Sequence, residues 1–232
     1  MKFTKSLIKG KLVKRYKRFF TDIKLNQETI VAHCPNTGSM MGLLDEGNEV
    51  FVSKNDDPKR KLKYTLEIIK VKKNLVGVNT HFANKIAFHG LSNNLVKEVK
   101  NSNNIKPEVF FDKETRFDFL VEKDNQKTFV EVKNVTLSRK DKLAEFPDAV
   151  TSRGSKHLKT LIEATKKGYK TYLLFLVQIQ GVTDFKIAKD IDKEYYENYK
   201  LAKKAGVKFL AYRCKINSKE IKIEKKIKII ND

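Results

Sequence analysis

Residues 116–135 read RFDFLVEKDNQKTFVEVKNV. Apolar and polar residues alternate on both sides of Asp124 and Asn125, two residue types that tolerate the left-handed backbone of a two-residue hairpin turn. A hairpin closed there sets Asp118 opposite Glu131, Arg116 opposite Lys133 and Leu120 opposite Phe129. Alternation then sorts the side chains. Phe117, Phe119, Val121, Val130 and Val132 are expected on one face as a core surface, with Arg116, Asp118, Glu131 and Lys133 on the other.

Two carboxylates facing each other across a strand pair repel unless a cation lies between them, and an oxygen-rich site of this kind suits Mg²⁺ or Mn²⁺. Lys133, two residues after Glu131 and on its face, is placed to hold an attacking water and to screen charge developing on a phosphate. The competing reading is a solvated hairpin face laced with cross-strand salt bridges. Leu120 and Phe129 weigh against it, because apolar residues on the same face imply that part of it is covered.

Ahead of the hairpin, short strands are expected at Leu12–Phe20, Thr29–Cys34, Glu49–Ser53, Tyr64–Val71 and Leu75–Asn79, with turn residues clustered between them. Five such strands fit an OB-like barrel, and a generic barrel equally well. A polar stretch from Ser92 to Lys106 reads as a junction with a short helix around Leu95–Val99. Beyond the hairpin, strands alternate with helices. One helix over Ser152–Lys167 stops before Gly168, and another over Asp192–Ala205 stops before Gly206. The expected architecture is an α+β, two-domain chain, with an OB-like barrel over 1–80 and an α/β domain with a mixed sheet flanked by helices over 81–232.

Composition adds a partner class. A formal net charge of +21 and a pI near 9.8 favour polyanions. Only seven of the 49 basic residues are Arg, so an A+T-rich coding bias accounts for part of that charge. Cys34 and Cys214 form no ligand-spaced pair. With no secretory apolar run near the N-terminus and no apolar stretch long enough to span a bilayer, a cytoplasmic protein without a membrane partner is expected. Exposed strand edges make a homo-oligomer feasible without selecting a symmetry.

Asp118 and the triplet Glu131-Val132-Lys133 resemble the nuclease superfamily named for Pro-Asp followed by (Asp/Glu)-x-Lys, with Phe117 in place of the proline. Longer motifs resemble the sugar fermentation stimulation protein A family across nearly the whole chain: RYKRF (15–19), HCPNTGSM (33–40), KRK (59–61), VNT (78–80), EVKNVTL (131–137) and FPDAVTSRGSKHL (146–158). The resemblance implies an N-terminal OB-like domain, a C-terminal restriction-endonuclease-like domain and DNA binding. It further implies Asp118, Glu131 and Lys133 as catalytic residues and Asp118 and Glu131 as metal ligands, with Glu98 or Glu108 as a further ligand.

Nucleic-acid contacts are expected at Arg116 of the hairpin and at four further places. Lys14, Arg15, Tyr16, Lys17 and Arg18 interleave charge with aromatic rings; on a continuous strand, Tyr16 and Arg18 would point one way and Arg15, Lys17 and Phe19 the other. Asn36 and Thr37 lie in a turn able to present N–H groups, and Arg60 follows Asp57-Pro58. Arg153, Lys156 and His157 crowd a helix start, where cations oppose the dipole unless an anion is bound. For each, a solvated or merely structural role is the alternative. The function expected is a DNA-binding protein with Mg²⁺-dependent phosphodiester hydrolysis. The runner-up is a non-catalytic, DNA-binding regulatory protein on a nuclease scaffold, and a third reading is carbohydrate binding by the barrel.

Overall fold

The structure, a computed structural model, describes residues 1–113 and 115–230. Six strands come first: β1 (Ile8–Tyr16), β2 (Phe20–Leu25), β3 (Glu28–His33), β4 (Glu49–Lys54), β5 (Tyr64–Val71) and β6 (Asn74–Gly77). They pair in the order β3-β2-β1-β4-β5-β6, and a parallel β3–β5 contact closes the first five into the expected OB barrel. Leu12, Ile23, Val50 and Leu66 fill its interior. The strand expected over Leu12–Phe20 is broken. Lys17 and Arg18 adopt positive φ values of 46° and 61°, and Tyr16 pairs with Phe20 across the turn. The two-sided sorting of Arg15 to Phe19 therefore fails, since these residues round a hairpin end instead of lying on one pleat.

The expected helix around Leu95–Val99 is only a single 3-10 turn at Lys97–Val99. A helix not anticipated from the sequence, α1 (Ala83–Ser92), precedes it and buries Ala83, Ile86, Ala87 and Leu91 at helical spacing. The rest of the chain forms β7 (Asn104–Phe110), β8 (Arg116–Lys123), β9 (Gln126–Val135), β10 (Leu137–Lys140), β11 (Leu143–Phe146), α2 (Ser152–Lys166), β12 (Lys170–Val177), β13 (Asp184–Ile187), α3 (Lys193–Lys204), β14 (Lys208–Ile216), β15 (Ile221–Lys226) and β16 (Lys228–Ile229). The main sheet runs β15-β14-β12-β9-β8-β7, with β12 parallel to both β9 and β14 and the remaining pairs antiparallel. A smaller sheet runs β10-β11-β13-β16. Both long helices end where the sequence says, at Gly168 (φ 87°) and Gly206 (φ 103°), left-handed positions that suit glycine.

The central hairpin forms in the expected register. Leu120 pairs with Phe129 and Lys123 with Gln126, while Asp124 and Asn125 take φ values of 48° and 63°. Its far end departs from simple alternation. The β8–β9 ladder stops at Phe119–Val130, and beyond it β8 follows β7 alone, with Val109 opposite Phe117. That divergence carries Phe117 away from Phe119 and onto the α2 face, 4.8 Å from Phe129 ring to ring. Phe119, Val130 and Val132 pack on the opposite face with Ile86 and Leu91 of α1. One apolar cluster continues unbroken from the barrel interior to Leu158, Leu173 and Phe175, so barrel and sheet are cemented together.

Among the described residues, no helix is long and apolar enough to cross a membrane. The turn fixes the register on which everything downstream depends. Asn125→Val, forcing a β-branched residue into the left-handed region, is expected to destabilise the protein by about 1–2 kcal/mol, whereas Asn125→Gly preserves stability. Urea unfolding of both variants checks this.

Candidate active site

Where β8 leaves β9, the backbone N–H of Val132 donates to Asp118 Oδ2 at 2.7 Å. Asn84, near the start of α1, donates to Asp118 Oδ1, also at 2.7 Å. Asp118 is thus held from the sheet and from one helix layer. Glu131 is held from the other. It is buried, 2% exposed; Lys133 Nζ donates to its Oε1 at 2.8 Å, and His157 Nδ1 of α2 meets the same oxygen. Arg153 Nε donates to His157 Nε2 at 3.4 Å. Among the described residues, the other carboxylate oxygen of Glu131, Oε2, is buried without a hydrogen-bond partner.

The two acids titrate in opposite directions. Burial pushes Asp118 up from 3.8 to about 6, with the charge on Glu131 adding to the rise and the Val132 N–H only partly offsetting it. Burial also acts to raise Glu131, but the Lys133 ammonium and His157 outweigh it and leave this group below the ordinary glutamate value. Asp118 is therefore the strained member of the pair, ionised near neutrality against both desolvation and repulsion. Tyr195 of α3, fully buried with an unpartnered hydroxyl, lies close enough for the Glu131 charge to add to the upward shift that burial imposes on it.

A cleft of about 500 Å³ opens beside the carboxylates, lined by Phe110, Thr115, Arg116, Arg153, Lys156 and His157. A second, of about 570 Å³, lies between barrel and sheet domain and includes Arg15, Arg18, Asn36, Thr37, Asn134 and Asp148. The N-cap residue of α2, Thr151, belongs to this second cleft.

A family profile described as the sugar fermentation stimulation protein RE domain matches residues 81–220, and one described as the SfsA N-terminal OB domain matches residues 13–78. The chain belongs to this family. Sugar fermentation stimulation protein homologs from Pelagibacter ubique and Pseudoalteromonas atlantica are 84% and 44% identical to it, covering 100% and 99% of this chain and all of theirs. The structure of Pyrococcus furiosus SfsA in complex with Ca2+ superposes with a TM-score of 0.89 at 24% identity, over 100% of this chain and 98% of that one, which establishes the shared fold. The OB barrel followed by a restriction-endonuclease-like sheet domain is thus the family architecture.

Of the residues singled out from the sequence, the structure joins Glu131, Lys133 and His157 by direct contacts and sets Asp118 near enough to feel the Glu131 charge, with Arg116, Arg153 and Lys156 in the adjoining cleft. It separates others from them. Glu98 accepts from Tyr212 and Lys226, and Glu108 pairs with Arg116 at 2.6 Å; among the described residues no group of three or more His, Cys, Asp or Glu side chains is placed to hold a metal. The further carboxylate ligand expected at Glu98 or Glu108 is therefore not supplied, because both are engaged elsewhere.

In the barrel, Arg15 is occupied by protein: its guanidinium donates to the carbonyls of Arg18, Gly38 and Asn36, which fixes the loop carrying Asn36 and Thr37. Lys14 lies 3.8 Å from Asp22, and Tyr16 stacks on Phe20. Lys17 and Arg18 occupy the β1–β2 turn, with Arg18 reaching the interdomain cleft. Arg60 approaches Thr65 in a separate cleft shared with Met1 and Glu67. Two positioning residues escaped the sequence reading. Asn84 sits in a helix that was not foreseen, and Asp148 docks the barrel loop by accepting from Ser39 Oγ. The FPD motif hinted only at the second.

The raised Asp118 carboxyl has a measurable consequence. It binds its proton more tightly folded than unfolded, so stability falls as pH rises from about 4 to about 6. Above that, a constant deficit of about 2–3 kcal/mol remains. With a chelator present, Asp118→Asn is expected to raise the urea midpoint at pH 8 and to leave it unchanged near pH 4. An equal effect at both pH values contradicts the assignment.

Proposed function

We propose that this protein binds DNA and hydrolyses phosphodiester bonds at a divalent-metal site formed by Asp118 and Glu131. The observation that carries the reading is the buried carboxylate pair itself, one acid pushed up by burial and by its neighbour's charge and the other holding an unpartnered interior oxygen. An orphaned carboxylate oxygen in the interior is a strong liability unless a cation or ordered water meets it. The donors are hard oxygens, which suit Mg²⁺ or Mn²⁺, with water and phosphate completing a shell that two carboxylates leave open. The residues present fit the metal that the resemblance implies. A bound metal would polarise the phosphate and lower the pKa of a ligated water.

The chain's own groups do the positioning. The Val132 N–H and Asn84 fix the Asp118 carboxylate, and Lys133 and His157 fix that of Glu131. Lys133 Nζ, 2.8 Å from Glu131 Oε1 and 3.2 Å from His157 Nδ1, is the ammonium available to orient a water and to stabilise negative charge on a phosphate. Arg116, Arg153 and Lys156 would hold the flanking backbone without reading sequence. The OB and RE domain matches support DNA as the partner, and the Ca²⁺ named with the Pyrococcus structure is a cation of the same oxygen preference.

A second reading, a DNA-binding regulator that does not cleave, draws on one feature. Lys133 and His157 already neutralise Glu131 Oε1, so half of the pair is satisfied without metal. The two readings separate in one assay: purified protein with Mg²⁺ or Mn²⁺ on single-stranded DNA, duplex DNA and RNA. Cleavage is expected, falling by about 100-fold or more in Asp118→Asn and in Lys133→Met. Activity unaffected by Asp118→Asn rules out this site, and binding without cleavage selects the regulator.

A further inference from the structure

Phe110, the last residue of β7, and Phe111, which follows it, have opposite fates. Phe111 is anchored among Phe117, Phe129 and Tyr169. Phe110 belongs to neither apolar cluster of described residues and is 67% exposed, the most exposed aromatic ring among them. It is not a loose chain end: it pairs with Arg116 in the last rung of the β7–β8 ladder, and the Arg116 guanidinium lies over its ring, 5.6 Å from the centroid. A ring fixed by a strand, backed by a cation and left bare is the construction that binds a flat π-system.

Its surroundings specify which one. Phe110 and Arg116 form one side of the cleft whose other lining includes Arg153, Lys156 and His157. At about 500 Å³ the cleft falls within the size range of small-molecule sites. Arg116 is engaged by Glu108, but that pair is about half exposed on both sides and is readily exchanged for a phosphate. His157 continues from this cleft directly to Glu131. Aromatic face, guanidinium and basic rim together match a nucleotide whose base is free to stack. Bases inside a duplex are stacked on their neighbours and offer no such face.

We propose that Phe110 is a base-stacking platform and that the cleft it shares with Arg153 and Lys156 takes an unpaired nucleotide of single-stranded DNA beside the carboxylate pair. This deepens, and rests on, the proposal that the protein acts on DNA. The chain contains no tryptophan, so Phe110→Trp makes the indole a sole reporter. Titrating that variant with a 16-nucleotide oligo-dT, and separately with the oligo-dA·oligo-dT duplex, at low salt with chelator, is expected to quench emission saturably with the single strand and little with the duplex. In anisotropy titrations Phe110→Ala should weaken single-strand binding roughly 5- to 150-fold and leave duplex binding within about twofold, while Phe110→Tyr retains both.

Unchanged emission at saturation, equal losses on both substrates, or no single-strand binding overturns the proposal. The chelator keeps this separate from catalysis. A protein that stacks oligo-dT but never cleaves with Mn²⁺ contradicts the nuclease reading alone, and one that cleaves with an unquenched indole contradicts the stacking platform alone.

Discussion

Two carboxylates held in a protein interior within reach of each other form an arrangement that folding by itself disfavours. Desolvation penalises each, and each raises the energy of the other's charge. Here the consequence is unevenly shared. Glu131 is rescued by Lys133 and His157, whereas Asp118 has only neutral donors, the Val132 N–H and Asn84, and is displaced to about 6. Such an asymmetry leaves one acid anchored and the other poised, a setting that a divalent cation would relieve at once.

The surrounding structure follows from keeping that pair in place. The sheet supplies it by letting β8 part from β9 after Phe119, so that the Asp118 side chain takes the N–H of Val132. The helices close it from opposite faces, α1 through Asn84 and α2 through His157. The barrel joins through an unbroken apolar cluster and through Asp148, which meets the loop that Arg15 clamps. Both clefts then open around the start of α2, one at Thr151 and the other at Arg153.

What was legible in the sequence was local. Asp124-Asn125 set the hairpin register out to Phe119 and Val130, the residues next to Asp118 and Glu131, because a one-residue slip would reverse every side chain on both strands. Gly168 and Gly206 end their helices for an equally local reason. The misreadings arose where distant contacts override local pattern. Phe117 changes face because β7, not β9, governs the end of β8. The RYKRF run looks like strand, yet Lys17 and Arg18 turn the chain so that Tyr16 pairs with Phe20 in the β1–β2 hairpin. Asn84 carries no signal at all, since its role exists only once α1 lies across the sheet, and Glu98 and Glu108 find partners that no spacing rule foretells.

The central claim is that Asp118 and Glu131 together bind a divalent cation. Electron paramagnetic resonance titration of the purified protein with Mn²⁺ near pH 7.5, compared with Asp118→Asn and Glu131→Gln, tests it most directly. The account predicts a site in the parent protein that disappears in each variant and is competed away by Mg²⁺. Mn²⁺ bound with equal stoichiometry and affinity in all three proteins would contradict it.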